Sequence, residues 1–335
     1  MAVVVFVSAA AVIFIAGTLL TRTADELADA TGLGEALFGA VLLGGSTSLP
    51  GIVTSVTAAH QGFGELAVTN ALGGIAAQTV FLSIADLSYR KANLEHASAS
   101  IENMMSGALL ASLLALVLIA LAGPEISLLG VHPASLLILV GYGFGLHLIH
   151  EARETPHWVP RLTTSTVEDV VAEQEEGKAP VGQGRLWIRF ALLAVVVGVS
   201  GWFVANSGIA IVNQTGLSES VVGALLTAVA TSLPELVTSV AAVRRGAVTL
   251  AVGGILGGNA FDVLFVSFAD VAYRPGSIYH AVSLDGVFLV ALTLLLTSIL
   301  LLGLLRRERT GVLGIGFESA LVLVFYLGGM ALLIL

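Results

Sequence analysis

The tetrapeptide Thr47-Ser48-Leu49-Pro50 returns 184 residues later as Thr231-Ser232-Leu233-Pro234, and the offset then holds without a gap. Thr54-Ser55 meets Thr238-Ser239, Gly73-Gly74 meets Gly257-Gly258, and Asp86, Tyr89 and Arg90 meet Asp270, Tyr273 and Arg274. Between 47 and 90, 23 of 44 positions are identical. Low-complexity apolar sequence matches by composition, but not at these polar and proline positions together. Each copy lies among apolar runs that reach the roughly 20 residues needed to span about 30 Å of hydrocarbon. Five runs fit in each half. An odd number of crossings per copy obliges the second copy to thread the membrane in the opposite sense, so the repeat must be inverted.

The sequence therefore predicts an all-α polytopic membrane protein of ten transmembrane helices in two inverted five-helix repeats. The helices are placed near 2–20, 35–59, 65–86, 103–122, 132–149, 187–206, 218–243, 247–269, 282–304 and 312–334. Hydrophobic residues are 56% of the chain and charged residues 11%, which removes it from the ordinary soluble class. No cysteine is present, so neither a disulfide framework nor a thiolate metal site is available. Met1 runs into apolar sequence without a basic leader, which argues for a first spanning helix rather than a cleaved signal. With both termini outside, thirteen of the fourteen Lys and Arg residues fall in inside loops and only Arg274 falls outside. The expected location is the cell membrane. Residues 1–150 and 187–335 form the two repeats. The polar stretch 151–186 reads as a cytoplasmic linker, a solvated tether with little apolar surface to bury.

Glu235 and Asp262 stand deep inside two of the apolar runs. Glu235 lies nine residues from Arg244 and Asp262 eight from Asp270, roughly 13 Å and 12 Å along a helix, near the middle of the hydrocarbon. An ionisable group there costs roughly 2.5–3.5 kcal/mol on insertion scales and persists only where it meets a cavity, a partner or an ion. Pro50 and Pro234 each remove a helix hydrogen bond and free carbonyls around Ser46 and Thr47, and around Ala230 and Thr231. The hydroxyls of Thr47, Ser48, Thr231 and Ser232 add oxygens. Such all-oxygen shells suit hard cations such as Na⁺ and Ca²⁺. The competing structural readings are specific. Ser232 and Glu235 form a capping-box spacing. Asp262 alone fits a buried protonated acid. Asp86 with Arg90, and Asp270 with Arg274, fit exposed i,i+4 ion pairs. His147, His150, Glu151 and Glu154 share a helical face with His157 following, a spacing that could hold Zn²⁺ in a membrane metalloenzyme. A non-transporting scaffold with a vestigial site is a further alternative. The expected surroundings are the lipid bilayer and inorganic cations, with no cofactor, nucleic acid or protein partner indicated.

The segments ATSLPELVTSVAAVRRG and GGILGGNAFDVLFV resemble the second repeat of the cation/Ca²⁺ exchanger superfamily, which includes sodium/calcium exchangers. STSLPGIVTSVTAA and ALGGIAAQTVF resemble a degenerate first repeat. The resemblance covers about 31–90 and 215–274 and implies secondary antiport by alternating access, with the first and sixth helices sliding across the rest. It implicates Thr47, Ser48, Thr231, Ser232, Glu235 and Asp262 as ion ligands, with Asn259 nearby and Gln78 where the family has an amide. Three departures stand out: Gly51 replaces the first-repeat Glu, Gly74 and Gly258 replace a Ser, and Ile75 replaces an Asn. The two carboxylates left can neutralise one Ca²⁺ or two Na⁺. Na⁺/Ca²⁺-type exchange is the expectation, with a monovalent- or H⁺-coupled exchanger as the alternative that Gly51 invites.

Overall fold

The computed structural model describes residues 1–31, 38–89, 92–161, 163, 166, 183–311 and 315–335, and leaves aside the side chains of 28–31, 38–43 and 183. Ten long helices carry the described fold: α1 (Ala2–Leu27), α2 (Phe38–His60), α3 (Gly64–Asp86), α4 (Ile101–Ala122), α5 (Pro133–Glu154), α6 (Gly184–Thr215), α7 (Glu219–Thr231 with Leu233–Arg245), α8 (Val248–Ala272), α9 (Leu284–Arg306) and α10 (Phe317–Ile334). Eight of them are long and apolar enough to cross a membrane on their own, and α7 is a ninth when its two segments, bent by 48°, count as one span.

Two helices run further than their apolar periods predict. In α1 the hydroxyls of Thr18, Thr21 and Thr23 bond back to the carbonyls of Phe14, Gly17 and Leu19. In α6 Ser200, Ser207 and Thr215 do the same to Val196, Phe203 and Ile211. Each polar residue is satisfied inside its own helix, so the helix continues where a hydropathy reading stops it. Gly216, at φ +75°, then ends α6 in the left-handed conformation that glycine adopts most readily.

Burial orders the bundle. The apolar window of α3 is 94% buried and that of α5 only 22%, so α3 is the axis and α5 is peripheral. Small residues permit this: a Cβ on Gly73 would come within 2.5 Å of the Ala224 backbone, so α3 and α7 touch main chain to main chain. Leu136, Leu137 and Val195 stand on outer faces, more than half exposed, as expected of a surface solvated by lipid tails. Among the long helices, α2 packs on α6 and α8, α1 on α6, and α4 on α8 and α9.

The offset of 184 reappears as paired contacts. Gly17 of α1 lies against Pro234, where a Cβ would meet the ring at 2.6 Å; its counterpart Gly201 of α6 lies against Pro50, where a Cβ would meet the Pro50 carbonyl oxygen at 2.7 Å. Each peripheral helix thus gives up a side chain to admit the proline of the other half. The two aspartates at the helix ends form another pair, and here the expectation of exposed ion pairs is wrong. Asp270 is fully buried and accepts the N–H of Ile278 at 3.3 Å, the N–H of His132 at 2.7 Å and the hydroxyl of Ser135 at 2.7 Å. Asp86, equally buried, accepts the N–H of Leu94 at 2.8 Å and that of Gly316 at 3.2 Å. Backbone donors at the starts of neighbouring helices hold both carboxylates. Arg90 and most of 151–186 lie outside the described residues. Near the start of that stretch, Thr163 bonds His96 and Thr166 accepts from Arg307, so these two positions are docked rather than free in solvent.

Candidate cation site

Four central helices bring the polar residues together. Ser48 on α2 donates to one oxygen of Asp262 on α8 at 2.5 Å. Gln78 on α3 donates to the other at 2.6 Å, and to the hydroxyl of Ser232, at the bend of α7, at 3.3 Å. Gln78 and Asp262 are counterparts across the repeat, so the amide of one half binds the carboxylate of the other. Glu235 follows the bend on α7 at 7% exposure, with the Thr47 side chain beside it and Asp262 near enough for the two charges to repel. Asn259, fully buried, donates to the carbonyl of Ile75 at 3.4 Å and to the hydroxyl of Thr79 at 3.2 Å. The hydroxyls of Thr47 and Thr231 donate back to the carbonyls of Gly44 and Thr227 in their own helices.

The bend at Ser232 is where the second TSLP departs from a helix. Ser232 takes φ −96°, ψ 5°, a new helix begins at Leu233, and Pro234 occupies its first turn, where a missing N–H breaks no bond. The capping-box expectation fails in detail, since the Ser232 side chain accepts no cap hydrogen bond. It faces Gln78 instead. The first TSLP lies inside the continuous helix α2, with Pro50 in its interior.

What the centre lacks is donors. Oε2 of Glu235, Oε1 of Gln78, Oδ1 of Asn259 and Oδ1 of Asn70 are all buried without a hydrogen-bond partner. Buried polar atoms are ordinarily paired, and each orphan needs a reason. Gln78, whose Nε2 bonds Asp262, and Glu235 thus each leave an oxygen acceptor unpaired at the centre, which matches the needs of a hard cation with an oxygen shell.

Sequence reasoning missed three residues here. Asn70 donates to the carbonyl of Gly51 at 3.3 Å and to Ser55 at 2.9 Å; an amide in mid-span was the available signal. Phe265 fills the space beside Gly51, where a Cβ would meet its ring at 2.6 Å. Tyr142 of α5 stacks edge-on with Phe261 at 5.8 Å and lies near the Asp262 carboxylate. Nothing in their spacing marks the latter two. The histidine face of α5 gathers no ion site: His150 meets Glu154 at 3.4 Å on an exposed surface, and among the described residues no group of three or more His or acidic side chains is placed to hold a metal.

A multi-pass helical bundle with buried acids and amides at its centre fits the class of membrane transporters of inorganic cations. The sequence profile of the sodium/calcium exchanger protein family matches residues 1–149 and 185–335, and the chain belongs to that family. It is a cation antiporter and not an enzyme, which removes the metalloenzyme alternative. A putative antiporter, CaxA of Alkalimonas amylolytica, is 28% identical over 313 residues, covering 92% of this chain and 91% of the relative. The sodium/calcium exchanger MaX1 of Methanosarcina acetivorans is 30% identical over 136 residues, covering 40% and 38%. Among solved structures, the H⁺/Ca²⁺ exchanger CAX superposes with a TM-score of 0.69 at 14% identity, covering 99% of this chain and 85% of the other. The sodium-calcium exchanger NCX_Mj superposes with a TM-score of 0.58 at 16% identity, covering 98% and 97%. These last two likenesses establish the fold.

Proposed function

We propose that the chain exchanges Ca²⁺ or a related divalent cation against Na⁺ by alternating access. Glu235 and Asp262 supply the charge. Thr47 and Thr231 supply carbonyl oxygens, Ser48, Ser232, Gln78 and Asn259 complete the polar shell, and one divalent ion or two monovalent ions fill it in turn. The observation that supports this reading is the pair of buried acids at the centre, Glu235 and Asp262, with Oε2 of Glu235 and Oε1 of the adjoining Gln78 left without partners. Residues 1–150 and 187–335 act as inverted halves joined by a cytoplasmic linker at 151–186, with both termini outside the cell membrane. The basic residues, which collect in the loops of one side, support that orientation.

A second reading has its own support. Where the family's first repeat has a carboxylate, this chain has Gly51, and the Phe265 ring takes up the space. With one carboxyl group fewer to balance the charge of metal ions, protons can serve as the countertransported ion, as the name of the H⁺/Ca²⁺ exchanger CAX says of that protein. Proteoliposomes loaded with Ca²⁺ and driven by a Na⁺ gradient alone, then by a pH gradient alone, separate the two. Flux of Glu235→Ala equal to that of wild type under both gradients overturns the site.

A further inference from the structure

A second set of buried acids lies away from the cation site, at the end of the bundle that carries Arg306 and Arg307. Glu95, on the short helix Leu94–Ala97, and Glu318, in the first turn of α10, are each 1% exposed. Their carboxyl groups lie within hydrogen-bonding reach of each other. Oε2 of each has no donor. The pocket is built to hold Glu318: a Cβ on Gly303 of α9 would meet its side chain at 2.5 Å, and a Cβ on Gly316 would overlap the carboxyl itself. The repeat shows that this arrangement is particular to one end. At the offset of 184, Tyr279 stands where Glu95 stands and Ala134 where Glu318 stands, while the aspartate scaffold around them is the same.

Among the described residues, the charged neighbours do not neutralise the pair. Asp86 and Glu308 add negative charge. Arg307 spends its guanidinium on the carbonyls of Arg161 and His96 and on the Thr166 hydroxyl. His96 is engaged with the Arg307 carbonyl and Thr163. Arg306 lies over the Phe317 ring, and Arg309 offers its carbonyl to Asn93. The part of α8 that packs on the short helix, Val248–Asp262, has Asp262 as its one ionisable side chain, and that carboxylate is bonded to Ser48 and Gln78 in the cation site. Two carboxylates so close in a buried pocket repel by several kcal/mol, whereas a carboxylic acid facing a carboxylate forms a strong charge-assisted hydrogen bond.

We propose that Glu95 and Glu318 form a proton-binding site in which one proton is shared between facing carboxyl groups and holds the start of α10 against the short helix after α3. Burial, then the charges of Asp86 and Glu318, push the Glu95 carboxyl well above the usual carboxylate range. The proton is therefore held at pH values where a free carboxyl has lost it. The sign follows from linkage: a folded state that binds a proton more tightly than the unfolded chain is stabilised at low pH and loses that stabilisation as pH rises through the folded value. Because Asp86 ends α3 and accepts the N–H of Gly316, loss of the proton loosens α10 from the helix that carries Gln78. The site is independent of which ions the centre exchanges.

The test is the melting temperature of the purified full-length protein against pH, for wild type, Glu318→Gln and Glu95→Gln. Wild type is expected to lose melting temperature as pH rises through neutrality into the alkaline range. Each glutamine supplies a permanent N–H to the remaining carboxylate, so each variant is expected to lose that alkaline fall. An alkaline fall of wild-type size in both variants overturns the proposal. So does a Ca²⁺-induced rise at alkaline pH that is present in wild type and absent from Glu318→Gln, because it assigns the pocket to a metal ion. Should one variant fail to fold, the other decides. Infrared spectra of the wild type give a second reading: a buried protonated carboxyl should persist above the ordinary carboxylate range and be missing from the Glu95→Gln, Glu318→Gln double variant.

Discussion

The two TSLP segments begin with the same four residues and finish as different structures. In α7 the helix breaks at Ser232, restarts at Leu233 and carries Glu235 into the centre. In α2 the helix continues through Pro50, and the next position is Gly51, pressed against Phe265. A proline therefore does not by itself set the break. The half with a carboxylate after the proline also has the unwound turn, while the other half has Gly51 there, against the Phe265 ring. The cation site is correspondingly lopsided: its acids come from α7 and α8, and α2 and α3 answer with Ser48 and Gln78. Neutral groups of one half serve as donors to the acid of the other.

The largest effect expected from that asymmetry is at Glu235. Glu235→Gln retains size and polarity but removes one of two charges, and loss of a buried charged partner is worth about 3–5 kcal/mol. Gradient-driven flux in proteoliposomes should fall by about a hundredfold or more. Gly51→Ala, at the matching place in the other half, should retain most of the flux. Equal losses in the two variants would mean that the halves contribute alike.

The next contrast concerns the capping aspartates. Asp270→Ala strands two backbone N–H groups, each buried orphan costing roughly 1–3 kcal/mol, while the Ser135 hydroxyl retains Tyr279 as a partner. Asp86→Ala strands two N–H groups and also relieves repulsion from the neighbouring Glu95. The loss of thermal stability should be larger for Asp270→Ala by about 1–2 kcal/mol. A larger loss for Asp86→Ala would show that the acids at that end are not repelling one another.

Much of this was legible in the sequence because the repeat fixed it. The offset places TSLP, the glycine pairs and the aspartates without any structural knowledge, and membrane depth singles out Glu235 and Asp262. What composition hid was partnership. Asp86 and Asp270 sit four residues before an arginine, and a helical-wheel reading pairs them with it; nothing local shows that helix starts far along the chain supply N–H donors instead. Gly51 read as a missing ligand, but only packing shows Phe265 in its place. Glu95 and Glu318 are 223 residues apart, in segments taken for loop and helix end, so no periodicity joins them.

A smaller effect is expected where the outer helices meet the prolines. Gly201→Ala drives a methyl into the Pro50 backbone, at 2.7 Å from its oxygen and 3.1 Å from its Cα, whereas Gly17→Ala meets only the Pro234 ring. Backbone cannot swing aside, so Gly201→Ala should cost about 2–3 kcal/mol and Gly17→Ala about 1–2 kcal/mol, within the usual range for overpacking. Melting curves of the two variants decide the order, and a reversal would place the stiffer contact at Pro234.

The last contrast places a carboxylate at the matching position of the first half. Gly51→Glu alone has no room, because the Phe265 ring stands 2.6 Å from where the new Cβ must go. The ring edge can rotate away, unlike the Pro50 backbone, so overpacking should cost only about 1 kcal/mol, to which a carboxyl turned from the site adds the roughly 2.5–3.5 kcal/mol of an ionisable group at membrane depth. Adding Phe265→Ala opens that volume. The double variant should then show a larger Ca²⁺-induced rise in melting temperature than either single variant, since the third charge favours a divalent ion over two monovalent ones. A Gly51→Glu variant that gains Ca²⁺ stabilisation without the second change would mean that Phe265 is not what keeps the first half uncharged. The difference between the halves would then lie in α2 itself, where the helix runs unbroken past Pro50.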